Sequence, residues 1–356
     1  MNITSTELVA LSIFSSYFLV ILGLFAIIGK NIPVFSGAGR IWQRRVFSGL
    51  VVASLLHTWY YMLAFLKWSF TRHRDTSGSE SGPFVQQITS WLLNTGLFEE
   101  AWAIVSTDPV PWWLSEPICL FTVGAWTVFL ATNGRKYAVK HIWAYMLLGQ
   151  LVAISVATNL FFLALLLSPT PKPRPSLRTS HAPPILWTSV LISMLAVGIS
   201  PHTTAQTFLP NLLIMHFLIV LPLLPFGHNT NSKFAIRTKT LYSLTAVIAL
   251  GLRARTTLVA FASLPPAQQS LTEFLYVSWR TIHAHPAQSS IGWDVIWTSV
   301  SLIIWVAISP LNETQRSWSS TASAFVTSVL FSAGVGAPLA FKQQVEEDGG
   351  ISDKNE

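Results

Sequence analysis

The sequence predicts an all-α fold, a polytopic integral membrane bundle of about eight transmembrane helices. Three observations carry that expectation. Hydrophobic residues make up 51% of the 356 positions and charged residues only 10%, with a mean hydropathy of +0.50; so little charge cannot cover the apolar surface in water. Several mostly apolar runs reach the roughly 20 helical residues that cross a hydrocarbon core. The one cysteine, Cys119, excludes a disulfide framework or a cysteine-based zinc site within the chain.

In chain order the apolar runs are 8–29, 46–66, 112–131, 142–168, 183–200, 208–226, 238–252, 291–309 and 321–341. Of these, 238–252 and 321–341 are the weakest in length and polarity. The first run is too long for a secretory core and lacks a small-residue cleavage site, so it reads as a retained anchor. Residues 71–110 read as a polar loop followed by an interfacial amphipathic helix. In ITSWLLNTGLFEEAW and the residues just after it, Trp91, Thr95, Phe98, Trp102 and Val105 recur at helical spacing. Segment 169–184, PTPKPRPSLRTSHAPP, reads as a stiff proline-rich connector. Residues 1–341 then form a single transmembrane domain, and 342–356 a disordered charged tail.

Charge suggests an orientation. Lys30, Arg40, Arg44 and Arg45 follow the first run, and Arg135, Lys136 and Lys140 follow the third. Both loops belong in the cytoplasm, which puts the amino terminus, with its Asn2-Ile3-Thr4 sequon, in the lumen of the endoplasmic reticulum. Lys172, Arg174 and Arg178 contradict simple alternation, since they follow 142–168 on what should be the opposite side. Either that run does not cross simply or the charge rule fails there. The net charge of +7 fits basic loops beside anionic lipid. No basic stripe interleaved with aromatics points to nucleic acid, and nothing marks an obligate protein partner.

Acids are scarce and therefore informative. None forms a DDxxD, DxDD or NDxxDxxxD grouping, and a magnesium-held diphosphate needs clustered carboxylates. No metal site and no cofactor is expected. Asp294 stands at the opening of an apolar run, on one helical face with Ser290, Trp297 and Thr298. A carboxyl group among indoles at that depth can act as a general acid; the plainer alternative is a helix cap or an interhelical hydrogen bond. Glu99 and Glu100 diverge by about 100° on a helix, so one can face inward while the other is solvated. Glu116, before Pro117, is a further candidate acid, with an ordinary role in a first helical turn as its alternative. Trp102, Trp293, Trp297, Asn159 and His285 are the candidate substrate contacts. Ring faces stabilise a cation that water cannot reach, and Asn159 can either orient a ligand oxygen or bond a neighbouring helix. His57, His216, His283 and His285 are possible proton carriers.

Three stretches, LFEEAW with PWWLSEP, GQLVAISVATNLFFLALLLSP at 149–169 and HPAQSSIGWDVIWT at 285–298, give the chain a resemblance to the fungal membrane-bound terpene cyclases of ascochlorin, ascofuranone and macrophorin type. It covers roughly residues 90–300. The resemblance implies an integral membrane enzyme that protonates a terminal epoxide or alkene of a farnesylated aromatic, with ring closure following and no metal required. A small-molecule transporter and a sterol-isomerase-like membrane enzyme are the other two readings. Broken helices at mid-bilayer with internal symmetry would favour the transporter; similar acids and indoles acting on a tetracyclic alkene would suit the isomerase.

Overall fold

The computed structural model describes residues 4–33, 41–77, 83–168, 181–204, 206–225, 233–309 and 318–352, and apart from one two-stranded β pair its regular structure is helical. The Asn2 and Asn312 sequons and most of the proline-rich connector lie outside those residues. Among the described residues six helices are long and apolar enough to cross a membrane, against about eight expected. They are α1 (Ser5–Asn31), α2 (Ile41–Ser77), the continuous rod Pro109–Lys136, the helix beginning at Pro184, α11 (Thr238–Ala262) and α13 (Pro286–Ile308). The rod joins α5 (Pro109–Phe121) to α6 (Thr127–Lys136) through a π turn at Thr122–Trp126. It is buried throughout 114–131 and forms the axis of the bundle.

Two short helices, α3 (Phe84–Asn94) and α4 (Leu97–Ser106), cover one end of the bundle together with α12 (Leu271–Ala284). We call this the upper end. The amphipathic stretch expected as one helix is thus two, because the chain turns extended at Thr95 before Gly96. The polar loop expected from 71 also begins later. Helix α2 continues to Ser77, with the hydroxyls of Thr76 and Ser77 bonding back to the carbonyls of Arg72 and His73. At the lower end lie the turn 137–141 and the antiparallel pair β1 (His181–Ala182) with β2 (Ile236–Arg237).

The largest departure from expectation is 142–168. It does not cross. Helix α7 (Ile142–Leu151) enters from the lower end, the chain breaks at Val152 and Ala153, and α8 (Ile154–Leu167) returns the way it came. The two are packed as a hairpin: the Tyr145 and Phe161 rings are 5.3 Å apart. Gly149 lets the tip close tightly: a Cβ there would lie 2.7 Å from Ile154 Cδ1 and 3.3 Å from Ala157 Cβ, and would push the Ile154 side chain aside. At 1.5 Å per residue each arm spans about 15–21 Å, short of a hydrocarbon core of about 30 Å. The tip is tied to α1 by the Tyr17 hydroxyl, which donates to the Leu151 carbonyl at 2.5 Å.

The remaining helices fix the polarity. Helices α9 (Pro184–Ile199) and α10 (Phe208–Val220) run antiparallel, joined by Asn211 Nδ2 to the Ala196 carbonyl at 3.1 Å. Helix α11 descends in sequence against the rod, with Thr245 beside Gly124 and Thr256 beside Glu116. Helix α13 starts at the upper end and runs antiparallel to α2, since Ser290 bonds the Thr58 carbonyl and His285 lies against Trp68. Helices α14 (Trp318–Phe331) and α15 (Ala333–Ser352) form a second hairpin, its tip at Gly334 seated on Pro117 and Leu120. The expected tail from 342 is therefore helical as far as Ser352. It continues the hairpin arm whose Phe341 stacks on Phe129 at 4.1 Å.

The hairpin resolves the charge contradiction. Because α7 and α8 begin and end at the lower end, the chain enters and leaves 142–168 there. Lys30, Arg44, Arg45, Arg135, Lys136, Lys140, Lys233, Arg237 and Lys239 border the same end. Lys172, Arg174 and Arg178, outside the described residues, belong to the connection from α8 to β1, both of whose ends are also there.

Candidate functional site

The break in 142–168 leaves the first amide groups of α8 without helical partners in the middle of the bundle. Such groups must be satisfied in a medium without water. Asp294 does this: its Oδ2 accepts from the Ile154 amide at 2.9 Å and its Oδ1 from the Ser155 amide at 2.8 Å. A carboxylate at a helix N-terminus, held by two backbone donors, is a favourable charge arrangement. The capping role weighed for Asp294 is thus real, but the helix it caps is another one.

Asp294 also faces a cavity of about 200 Å³. The hairpin tip from Gly149 to Ile154 is its floor, α4 its roof, and α2, α5, α10 and α13 supply walls. Phe65, Met62, Met215, Ile219 and Trp102 make most of it apolar. The π turn contributes Thr122 and Val123, consistent with the frequent placement of such turns at functional sites. Asp294 is the only acid among its described lining residues. Opposite chemistry comes from His216. Its Nδ1 lies 2.7 Å from the Leu212 carbonyl, which can only accept, so Nδ1 carries the proton and Nε2 is left as the second reactive nitrogen. The Trp102 and His216 rings meet edge to face at 6.2 Å and close one side.

Of the candidate residues, Asp294, Trp102 and His216 line this cavity and the others do not. Glu99 is exposed. Glu100 pairs with Arg72 at 3.3 Å and accepts from Ser69 at 3.0 Å, fastening α4 to α2. Glu116 is fully enclosed in the rod, away from any helix start, since α5 begins seven residues earlier at Pro109 behind Asp108. It accepts from Thr256 at 2.6 Å and lies 3.7 Å from Arg253, which itself bonds the Trp113 carbonyl and covers the Trp113 ring. Trp293 and Trp297 turn to the other side of α13 and enclose His57, with the Trp297 indole N–H donating to His57 Nδ1 at 3.1 Å. His285 caps α13, accepting from the Ala287 amide at 3.1 Å, and sits between Phe65 and Trp68. Burial lowers its pKa from the ordinary histidine value. Asn159 is buried along α8, outside the cavity.

Sequence reasoning passed over Thr58, Cys119 and Met62 as cavity residues. Gln150, like Asn159 a residue that can bond a neighbouring helix or orient a ligand oxygen, bonds the His216 carbonyl at 3.4 Å and also borders the cavity. Their one signal is a stripe of small or polar residues within apolar helices, which does not by itself separate a cavity wall from a helix contact. No family model, curated protein or solved structure matches this chain.

Proposed function

We propose that this is a membrane terpene cyclase that protonates a terminal epoxide or alkene of a farnesylated aromatic and closes a ring without a bound metal. The observation that carries the reading is the position of Asp294: one carboxyl group, on rigid backbone donors, in an otherwise apolar and aromatic cavity. In its protonated form Asp294 gives its proton to the epoxide oxygen. The C–O bond breaks as an internal alkene attacks, and the charge left on Asp294 falls on the amides of Ile154 and Ser155, already aimed at it. The faces of Trp102 and Phe65 hold the migrating cation, and apolar walls keep water from quenching it. His216 Nε2 takes the final proton, so the net reaction is an isomerisation.

The cavity is smaller than the roughly 300–1,000 Å³ usual for drug-sized ligands. It suits the reacting end of an isoprenoid chain, with the aromatic head outside towards α4 and the lipid. The basic lower end belongs in the cytoplasm, so the cavity opens in the lumenal half, consistent with residence in the endoplasmic reticulum. Microsomes bearing the chain, offered a prenylated phenol epoxide and a sterol side by side, should convert the former. Asp294→Asn should abolish conversion; undiminished activity in that variant rejects the assignment.

One observation favours a second reading. A helix broken at mid-bilayer is characteristic of transporters, whose half-helix N-termini meet the anionic group of the cargo. Here the first two of those amides are taken by the chain's own Asp294. Uptake of a substrate into proteoliposomes without chemical change would support the transporter instead.

A further inference from the structure

Asp294 has a second side. Helices α8 and α13 run in the same direction, tied at one end by Asp294 to Ser155 and at the other by Phe162, which stacks on Trp305 at 4.2 Å and 5°. Between these ties lie Asn159 on α8 and Thr298 and Ser301 on α13, at successive helical turns. All three are 0% exposed. Among the described residues the Thr298 and Ser301 hydroxyls, both ends of the Asn159 amide and the Trp305 indole N–H have no hydrogen-bond partner, while the Ser155 hydroxyl lies against the Asp294 carboxyl group. The series continues on α2. Phe47 packs on Trp305 at 5.8 Å, and one turn nearer the lower end Gln43 is buried with an unpartnered Oε1, beside Arg44 and Arg45.

A buried polar group without a partner forfeits its hydration with nothing in return. A run of them along one seam indicates water, which enters proteins where two to four polar groups converge. We propose that the α8–α13 seam holds a file of water molecules that carries protons from the lower end to Asp294. The idea rests on Asp294 being the proton donor. Every cyclisation consumes its proton on one side of the cavity and releases another at His216, so the acid must be recharged. The cavity itself is apolar and filled by substrate; the seam reaches the carboxyl group from behind. A proton from bulk water passes Gln43, the Trp305 edge, Ser301 with Asn159, and Thr298 with Ser155, and ends on the Asp294 carboxylate. The balance closes, with one proton in by the seam and one out through the cavity mouth.

Two measurements on the full chain in nanodiscs test this. Radiolytic hydroxyl-radical footprinting modifies side chains beside bound water and needs no substrate. Trp305 should be oxidised despite its complete burial, and should lose at least half of that labelling in Asn159→Leu/Thr298→Val/Ser301→Ala. An unlabelled Trp305 overturns the proposal. In rapid-quench assays with the prenylated epoxide, the triple variant should complete its first turnover at the parental rate. Its steady-state rate should then fall at least about tenfold, with a larger solvent deuterium effect. A first turnover slowed equally, or an unchanged steady state, also overturns it. Full activity in Asp294→Asn would instead defeat the cyclase reading while leaving the footprint of the water file intact.

Discussion

Asp294 and Glu116 are both carboxyl groups enclosed in the middle of the bundle, yet the protein treats them differently. Glu116 has an opposite charge at 3.7 Å and a hydroxyl at 2.6 Å, and is fully buried. Asp294 has no cation beside it among the described residues; its partners are two amides at a helix end, and its other neighbours are a cavity and a seam of polar groups. A fixed counter-charge commits a carboxylate to one state, which suits a structural tie between the rod and α11. Partial charges on amides hold the group in place while leaving it free to exchange a proton with something that enters the cavity. Burial alone does not separate the two acids; the kind of partner does.

The comparison requires that Asp294 approach from the upper end, which the hairpin decides, and this gives the largest test. With Cys119 replaced by alanine, single cysteines at Lys140 and Lys233 should react with an impermeant maleimide from one side of sealed vesicles. Cysteines at His202 and Gln269 should react only from the other. If Lys140 and Lys233 label from opposite sides, 142–168 crosses and the site as described is lost.

Next in size is the ion pair. Glu116→Gln leaves Arg253 enclosed with only a carbonyl and a ring for company, and should destabilise the fold by about 3–5 kcal/mol in thermal or denaturant unfolding. Adding Arg253→Met should recover most of that loss. Asp294→Asn, by contrast, should cost only about 1–2 kcal/mol as a lost cap while removing activity. Equal destabilisation by the two changes would erase the distinction drawn between them. The smallest effect belongs to Glu100, whose pair with Arg72 is half in solvent. Glu100→Gln should shift stability by less than about 1 kcal/mol and leave turnover in place. A large activity loss would move the proton donor to α4.

The site was legible in part. Asp294 is visible because a lone acid in an apolar run has few uses, and Trp102 because it repeats on one face of a short amphipathic helix. Glu116 carries the same signature as Asp294, and only the arrival of Arg253 from α11, 137 positions later in the chain, separates them. Trp293 and Trp297 flank Asp294 in sequence but lie around His57 instead, because α2 packs on that side of α13.

Composition and run length by themselves determined a helical membrane protein, since apolar side chains and unpaired amides leave a chain in lipid no other open form. The basic residues put the loops after the first and third runs on one side, and after 168 they conflicted with simple alternation. What the tertiary structure alone decided is that 142–168 turns back at mid-depth. Its 27 mostly apolar residues include five polar ones and fit a spanning helix as well as a hairpin; the choice falls to Gly149 admitting Ile154, Tyr17 holding the tip, and Asp294 receiving the amides the turn exposes. Those are contacts between residues more than a hundred positions apart, or a close fit across a turn, and local pattern carries neither.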